Sequence, residues 1–546
     1  MSALLFALLG CTPSTTGAPT GATEALLPDT GPADTGPTDT LTDTATSAPA
    51  YTLVAEGPPE TVPGVVLLAS LIGEEAAVSG FVRADVHVDL DAWEERYPFR
   101  YQVLSADDEV LYSRTTPGPV QVQEYLAYYS ELSGIDLLVL YPDLGNFPLI
   151  APLIDGADHL TMALRQASGE WVEVGEWSYA ALEGEGEPLN DAVIGTETLW
   201  RSGSSEQRLD IALVGDGYTE AEQAQWREDA DDLSAALLAV APLSDYASRI
   251  NIHRIDAVSA ESGISYDCVG ECRFRDTAFG TVFPVELANI LLGTDYRASA
   301  VFQRDQWAVA RAVSAVPWDH VIVAANTTHY GGFSLHYATA PNGSPDWTGT
   351  AVHEFGHLLG LLGDEYVEDI CIVSDALGLP DNISADPKSP SWAHWIASDT
   401  PLPTPADYAG EVGAFEGAFN CDDLYRPAST CRMRSSNTTD FCPVCGELMV
   451  RQLFRFTDPL EAITAEAVED EGRAWRFTPE GELDVTIDWT LDGEPLARTA
   501  GGEALTVDPG AHGAGEHLLE ATAVHNTARV LEDDGDLEGR RRWRFE

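Results

Sequence analysis

Basic side chains are scarce in this chain: 29 Lys and Arg stand against 89 Asp and Glu in 546 residues, a formal net charge of -60. A surface of that sign repels phosphate backbones and anionic headgroups, which argues against nucleic acid as a partner and against electrostatic membrane binding. Long apolar runs are missing too, and none approaches the roughly 18 residues of a spanning helix. Phosphate-binding signatures are incomplete. Gly215-Asp216-Gly217 lacks both the third glycine of a dinucleotide loop and a P-loop lysine, so it reads as a tight turn. No calcium-loop motif is present, although dispersed carboxylates can still build such a site.

Cysteine is limited to eight residues. Cys11 closes Leu8-Leu9-Gly10-Cys11, which resembles a bacterial lipobox and predicts removal of the first ten residues and acylation of Cys11. The basic n-region usual in such leaders is absent. Residues 12–50, rich in Thr, Pro, Asp and Gly, cannot bury enough apolar area to offset their conformational entropy and read as a disordered tether. A lipid anchor implies an oxidising compartment, so Cys268, Cys272, Cys371, Cys421, Cys431, Cys442 and Cys445 are expected to form disulfides. Their odd number leaves one thiol over, and Cys442-Pro-Val-Cys445 alone is a weak zinc or redox signal.

Against this background one stretch carries chemistry: Thr350 to Tyr366, with His353-Glu354-Phe-Gly-His357 at its centre. On a helix, residues four apart share a face, so both imidazoles can reach one ion, and Glu354 beside them can take a proton from a metal-bound water. Ala351, Val352, Phe355, Leu358 and Leu359 give the helix an apolar surround, and Gly360 falls where it must end.

The chain exceeds what one core can organise, and about three to four domains are expected. Residues 51–195 alternate with a period of two and predict a β-sandwich. Residues 196–456 change character. Leu209 to Val214 predicts a strand, Thr219 and Glu222 a capping box before a helix to about Val240, and Ile250 to Val258 and Trp318 to Ala325 two further strands. Phe333 to Ala338 follows as an extended edge, then the His353 helix. That order is the upper half of a zincin peptidase, whose edge strand receives an extended peptide by backbone pairing. His253, His320, His329 and His336 are scattered over these strands and are read as core or surface residues. From 457 to 546 alternation returns, with a hairpin turn at Leu491-Asp492-Gly493, and predicts an immunoglobulin-like sandwich. The expected class is therefore α+β, a zincin-like catalytic domain between two β-sandwich domains.

Several motifs together carry a resemblance: the helix motif, Leu213 to Tyr218, Val258 to Gly263, Gly413-Ala-Phe-Glu416-Gly417, Tyr425-Arg426-Pro427, Cys431-Arg-Met433-Arg and Phe441 to Cys445. They resemble the IgA-specific metalloendopeptidase family, metallopeptidase family sixty-four, over about residues 200–455. The resemblance implies a secreted or surface zinc endopeptidase with one catalytic Zn2+ and protein or glycoprotein substrates, without implying that immunoglobulin A is among them. Met433 resembles the methionine turn beneath the metal of metzincins. Arg432 and Arg434 beside it could meet a substrate carboxylate or balance nearby acids.

The third ligand stays open at this point. Gly360 fits the metzincin glycine, but Gly363 occupies the usual third-ligand position. Asp364, matching the family's Asp-Glu-Tyr motif, is the leading choice, with Glu365 and His394 as alternatives. A binding-only adhesin or glycan-binding lipoprotein built on the same domain, and a zinc hydrolase acting on another amide such as peptidoglycan, are the rival functions.

Overall fold

The computed structural model describes residues 53–56, 62–72, 75–88, 97–116, 146–166, 168–183, 186–267, 274–284, 301–334, 336–367, 378–437, 440–468, 474–513, 515–533 and 535–546. Cys11, the 12–50 tether, Cys268, Cys272 and Cys371 lie outside the described residues. The fold is mixed α/β, mostly strands, with four α-helices among the described residues.

Its centre is a six-stranded sheet. In chain order the elements are β1 (Val193–Trp200), β2 (Leu209–Asp216), helix α1 (Gln223–Ala239), β3 (Ile250–Ala257), α2 (Gln306–Val313), β4 (His320–Ala325), β5 (Phe333–Ser334), β6 (Ala338–Pro341) and α3 (Trp347–Gly360), with α4 (Pro443–Leu453) returning later. The strand order is β5-β6-β4-β2-β3-β1. The four inner strands run parallel, while β1 and β5 pair antiparallel at the two edges. Every residue of β2 and β3 is buried, as expected for parallel strands covered on both faces. Leu209, Ile211 and Leu213 join α1, α3 and α4 in one core. Ala212 and Val214, on the opposite face, pack against α2. The period-two side-chain alternation thus places the histidine helix on one face only.

Sequence expectations for this region hold closely for β2, β3 and β4. Glu222 Oε2 accepts from Thr219 N (2.9 Å) and Thr219 Oγ1 (2.7 Å), so the capping box forms, with one 3₁₀ turn before α1 begins. Two features differ. The extended 333–338 stretch is split: only Phe333–Ser334 forms the edge, and the chain then turns inward to make β6. Helix α2 has no counterpart in the sequence reading, although Asp305 caps it, accepting from Ala308 N at 2.8 Å. At eight residues it is shorter than the window over which a helical period stands out in a sequence.

Before the central sheet, a three-stranded sheet (Glu75–Val88, Val62–Ile72, Asn146–Pro152) and a four-stranded one (Val110–Thr116, Phe99–Ser105, Ala157–Arg165, Trp171–Ser178) share a core of Val65, Leu67, Phe147, Tyr101, Val103 and Leu160. Val66 and Val82, on the other face of the first sheet, meet α2. After it, a five-stranded sheet and a three-stranded one enclose Phe477, Ile487, Trp489, Leu519 and Trp543. The hairpin turn forms with Asp492 and Gly493 both at positive φ, the primed geometry that suits the strand twist. Leu53–Glu56 does not belong with the sheets that follow it in sequence; it pairs antiparallel with Glu538–Phe545 as the edge of the carboxy-terminal sheet.

Gly215-Asp216-Gly217 is the end of β2 and the bend after it, and the Asp216 side chain is consumed internally. Its Oδ1 accepts from Gly217 N (3.0 Å), Phe279 N (3.2 Å) and Ser259 Oγ (3.2 Å), and Oδ2 accepts from Thr281 N (2.9 Å) and Thr277 Oγ1 (3.0 Å). A carboxylate with no free lone pair fixes the loop over the strand ends. Gly217 N keeps Ser259 Oγ at 3.0 Å, but Asp216→Ala strands the buried N–H groups of Phe279 and Thr281 and should destabilise this region by about 2 kcal/mol or more, with Asp216→Asn in between. Urea unfolding followed by tryptophan fluorescence measures this, and an unchanged midpoint for Asp216→Ala would rule out the role.

Candidate metal centre

Helix α3 enters the core through Ala351, Val352, Phe355 and Leu359, all buried, which turns His353, Glu354 and His357 toward the opposite side. The two imidazole rings stand 4.9 Å apart. Each is held from behind by the backbone: His353 Nδ1 lies 2.8 Å from Arg432 O, and His357 Nδ1 lies 2.7 Å from Leu362 O. A carbonyl oxygen only accepts, so both Nδ1 atoms carry protons and both Nε2 lone pairs are left for something else.

Both Nε2 atoms converge on one carboxylate oxygen, at 3.1 Å from His353 and 3.2 Å from His357 to Asp364 Oδ1. Asp364 reaches them because the chain reverses sharply after α3. Gly360 is the last helical residue, and Leu361 takes the left-handed conformation (φ 53°, ψ 33°) that ends the helix. The sequence suggested glycine as the terminator, but Gly360 has another task. A Cβ there would stand 2.8 Å from Met449 Cγ on α4, so its missing side chain lets two helices touch.

Charge is concentrated here in a largely buried space. Burial lifts the Glu354 carboxyl to about 7, with His353 and His357 pulling it back and Asp364 adding to the rise. Burial alone would depress His357, but the Asp364 and Glu354 carboxylates override it and hold the ring at about 9. Burial would likewise raise Asp364, yet the two histidines pull it well below the usual carboxylate range. Glu354 Oε2 has no hydrogen-bond partner among the described residues. Two imidazole nitrogens, one carboxylate oxygen and an orphaned acid beside them form a donor set that fits a divalent ion.

The surroundings fix the geometry further. A Cβ on Gly332, just before β5, would fall 2.2 Å from Glu354 Oε1, so the sheet edge presses directly on the acid. Met433 is fully buried under α3, where a Cβ on Gly356 would lie 2.8 Å from its sulfur. Tyr366 stacks on His353 with ring centroids 6.4 Å apart.

The remaining candidates lie elsewhere. His394 Nε2 is 2.7 Å from Glu447 Oε2, part of a contact between α4 and the carboxy-terminal sheets, where Glu447 also accepts from Leu531 N. Glu365 points away from the histidines toward Cys431, Cys442 and Cys445. His253 pairs with Asp210, His320 rests on Phe355 and Phe456, His329 lies against Tyr266 and Phe283, and His336 against Phe147. Arg432 is turned inward to Gly349 O and Ser436 O, and Arg434 donates to Ser429 O.

The expectation of disulfides needs correction for three cysteines. Cys431, Cys442 and Cys445 are free thiols, all buried, and Cys421 is disulfide-bonded with its partner outside the described residues. The sequence reading passed over the group that Glu365 makes with the three thiols. Only the Cys442-Pro-Val-Cys445 spacing hinted at it.

No curated protein matches the chain. A family model, IgA Peptidase M64, matches residues 198–408. The matched segment holds β2 through α3 and includes His353, Glu354, His357 and Asp364. Over residues 198–408 the chain is similar to the IgA peptidase M64 family, a match that supports a metallopeptidase assignment for this segment.

Proposed function

We propose that the protein is a zinc-dependent endopeptidase of zincin type, acting on peptide bonds of extracellular proteins. The observation that carries this is the convergence of His353 Nε2 and His357 Nε2 on Asp364 Oδ1, with the buried, unpartnered Glu354 alongside. His353, His357 and Asp364 would hold the ion, three protein ligands being the number a catalytic zinc takes. When bound, zinc supplies Lewis acidity, acidifying a water and polarising the scissile carbonyl.

The residues of the chain do the rest. Glu354 takes the proton from the attacking water and delivers it to the leaving amine, so no covalent intermediate is needed. Its elevated proton affinity, produced by burial, suits a group that must both accept and release a proton. The outer edge of β5, next to Gly332 and Glu354, offers backbone groups for an extended peptide, which orients the scissile bond over the acid. The strongly acidic surface favours substrates without dense negative charge. Anchoring at the cell envelope through Cys11, with the flanking sheets as sandwich-type spacers, completes the reading. A full ligand set beside a poised acid supports catalysis over a binding-only role.

Two outcomes test it. Glu354→Gln should keep its zinc and lose about 10²- to 10⁴-fold in kcat/KM on a mixed-protein digest followed by mass spectrometry; undiminished cleavage would remove Glu354 from the mechanism. Asp364→Ala should weaken zinc binding by more than about 100-fold, beyond the loss typical of outer partners. Competition with a chromophoric chelator reads this, and full retained affinity would return the third-ligand question to the beginning.

A further inference from the structure

Beneath the histidine centre lies a second group whose chemistry the proposed reaction does not use. Glu365, Cys431, Cys442 and Cys445 bring one carboxylate oxygen and three sulfurs within 4.8 Å of one another, all four residues being buried. Cys445 Sγ is 3.0 Å from Glu365 Oε1 and Cys442 Sγ is 3.9 Å from it, while Cys442 N donates to Cys431 Sγ at 3.2 Å. Ligands of a tetrahedral zinc with bonds of about 2.3 Å stand about 3.8 Å apart, so the group needs only small adjustment to close on an ion.

We propose that Glu365, Cys431, Cys442 and Cys445 form a structural zinc site distinct from the histidine centre. Three observations favour it over an internal disulfide. No disulfide joins the three cysteines in the fold. A disulfide would use two sulfurs and leave the third facing a carboxylate. Glu365 is fully buried, faces the sulfurs, and its Oε2 has no hydrogen-bond partner among the described residues, an arrangement that is costly unless a cation completes it. Thiolate donors select zinc over calcium or magnesium, and four protein ligands with no open position mark a structural site. Cys442 is the N-cap of α4 and Cys445 lies in its first turn, where the helix dipole favours thiolate.

The position of this site gives it a purpose. Glu365 follows Asp364 directly, and its N–H donates to Met433 O at 2.8 Å. An ion here would join the segment carrying Asp364, the Met433 turn and α4. Existence of the site does not depend on peptidase activity; its role in holding Asp364 rests on the function proposed above.

Metal analysis of the purified full chain tests this. The zinc-loaded wild type should contain two zinc per chain, and the His353→Ala/His357→Ala variant one. Cobalt-exchanged His353→Ala/His357→Ala protein should show the thiolate-to-Co(II) charge-transfer absorption that histidine and carboxylate ligands cannot produce. Cys431→Ser/Cys445→Ser should abolish that band. Should the histidine variant fail to fold, the same band is read on the cobalt-exchanged wild type, where only a sulfur site can generate it. Absence of the band, or a disulfide among Cys431, Cys442 and Cys445 in non-reducing peptide maps of zinc-loaded protein, would overturn the site. Absence of proteolysis in the wild type with the band intact would count against the peptidase alone.

Discussion

Everything around α3 depends on a carboxylate being delivered to two imidazoles that the helix itself cannot satisfy. The backbone carbonyls of Arg432 and Leu362 hold both rings from behind, and Asp364 meets both from the front. Three ionisable groups and Glu354 are thereby packed into a space nearly closed to water. Such a concentration is expensive unless opposite charges lie in contact. The reversal at Leu361 makes the contact possible, at a backbone cost of about 1–2 kcal/mol for a left-handed leucine. Strain of that kind persists only where surrounding structure imposes it. Here the helix contact at Gly360 and the ring of His357 on Leu362 O do so.

Close approach is the second constraint. Gly332, Gly356 and Gly360 each stand where a Cβ would collide with Glu354, Met433 or Met449. Together they set α3 against the sheet edge on one side and the methionine turn and α4 on the other. The acid, the rings and the sulfur-lined group below them are therefore positioned by rigid elements, which is the condition for a preorganised site. Asp216 performs the same service at the strand ends, consuming both its oxygens to hold the loop above β2.

How much of this was readable in the sequence follows from the range of each interaction. His353, Glu354 and His357 are encoded by helical spacing, a local rule, and β2, β3, β4 and the Thr219 capping box are equally local. Asp364 was legible only as a leading choice, because its approach depends on the turn at Leu361, and the glycine before that turn suggested a different terminator. The split of 333–338 into β5 and β6 depends on which strand β6 lies beside, a tertiary matter. The pairing of Leu53–Glu56 with Glu538–Phe545 spans nearly the whole chain and leaves no trace in any window. The thiols were misread for a related reason. Compartment argued for disulfides, whereas the carboxylate that gathers Cys431, Cys442 and Cys445 lies more than sixty residues upstream of the first of them.

The adjacent acids Asp364 and Glu365 show how one short segment can serve two centres. Asp364 and Glu365 send their carboxylates to different centres, one to the histidines of α3 and one to the sulfurs at the start of α4. Asp364 faces imidazole nitrogens beside a sheet edge, and Glu365 faces three sulfurs at the start of a helix. Exchanging their roles would require moving the backbone, which Met433 O fixes through Glu365 N. The order Asp then Glu therefore follows from reach as well as charge. The shorter side chain suits the rings that α3 already holds close, and the longer one spans to sulfurs carried on separate segments.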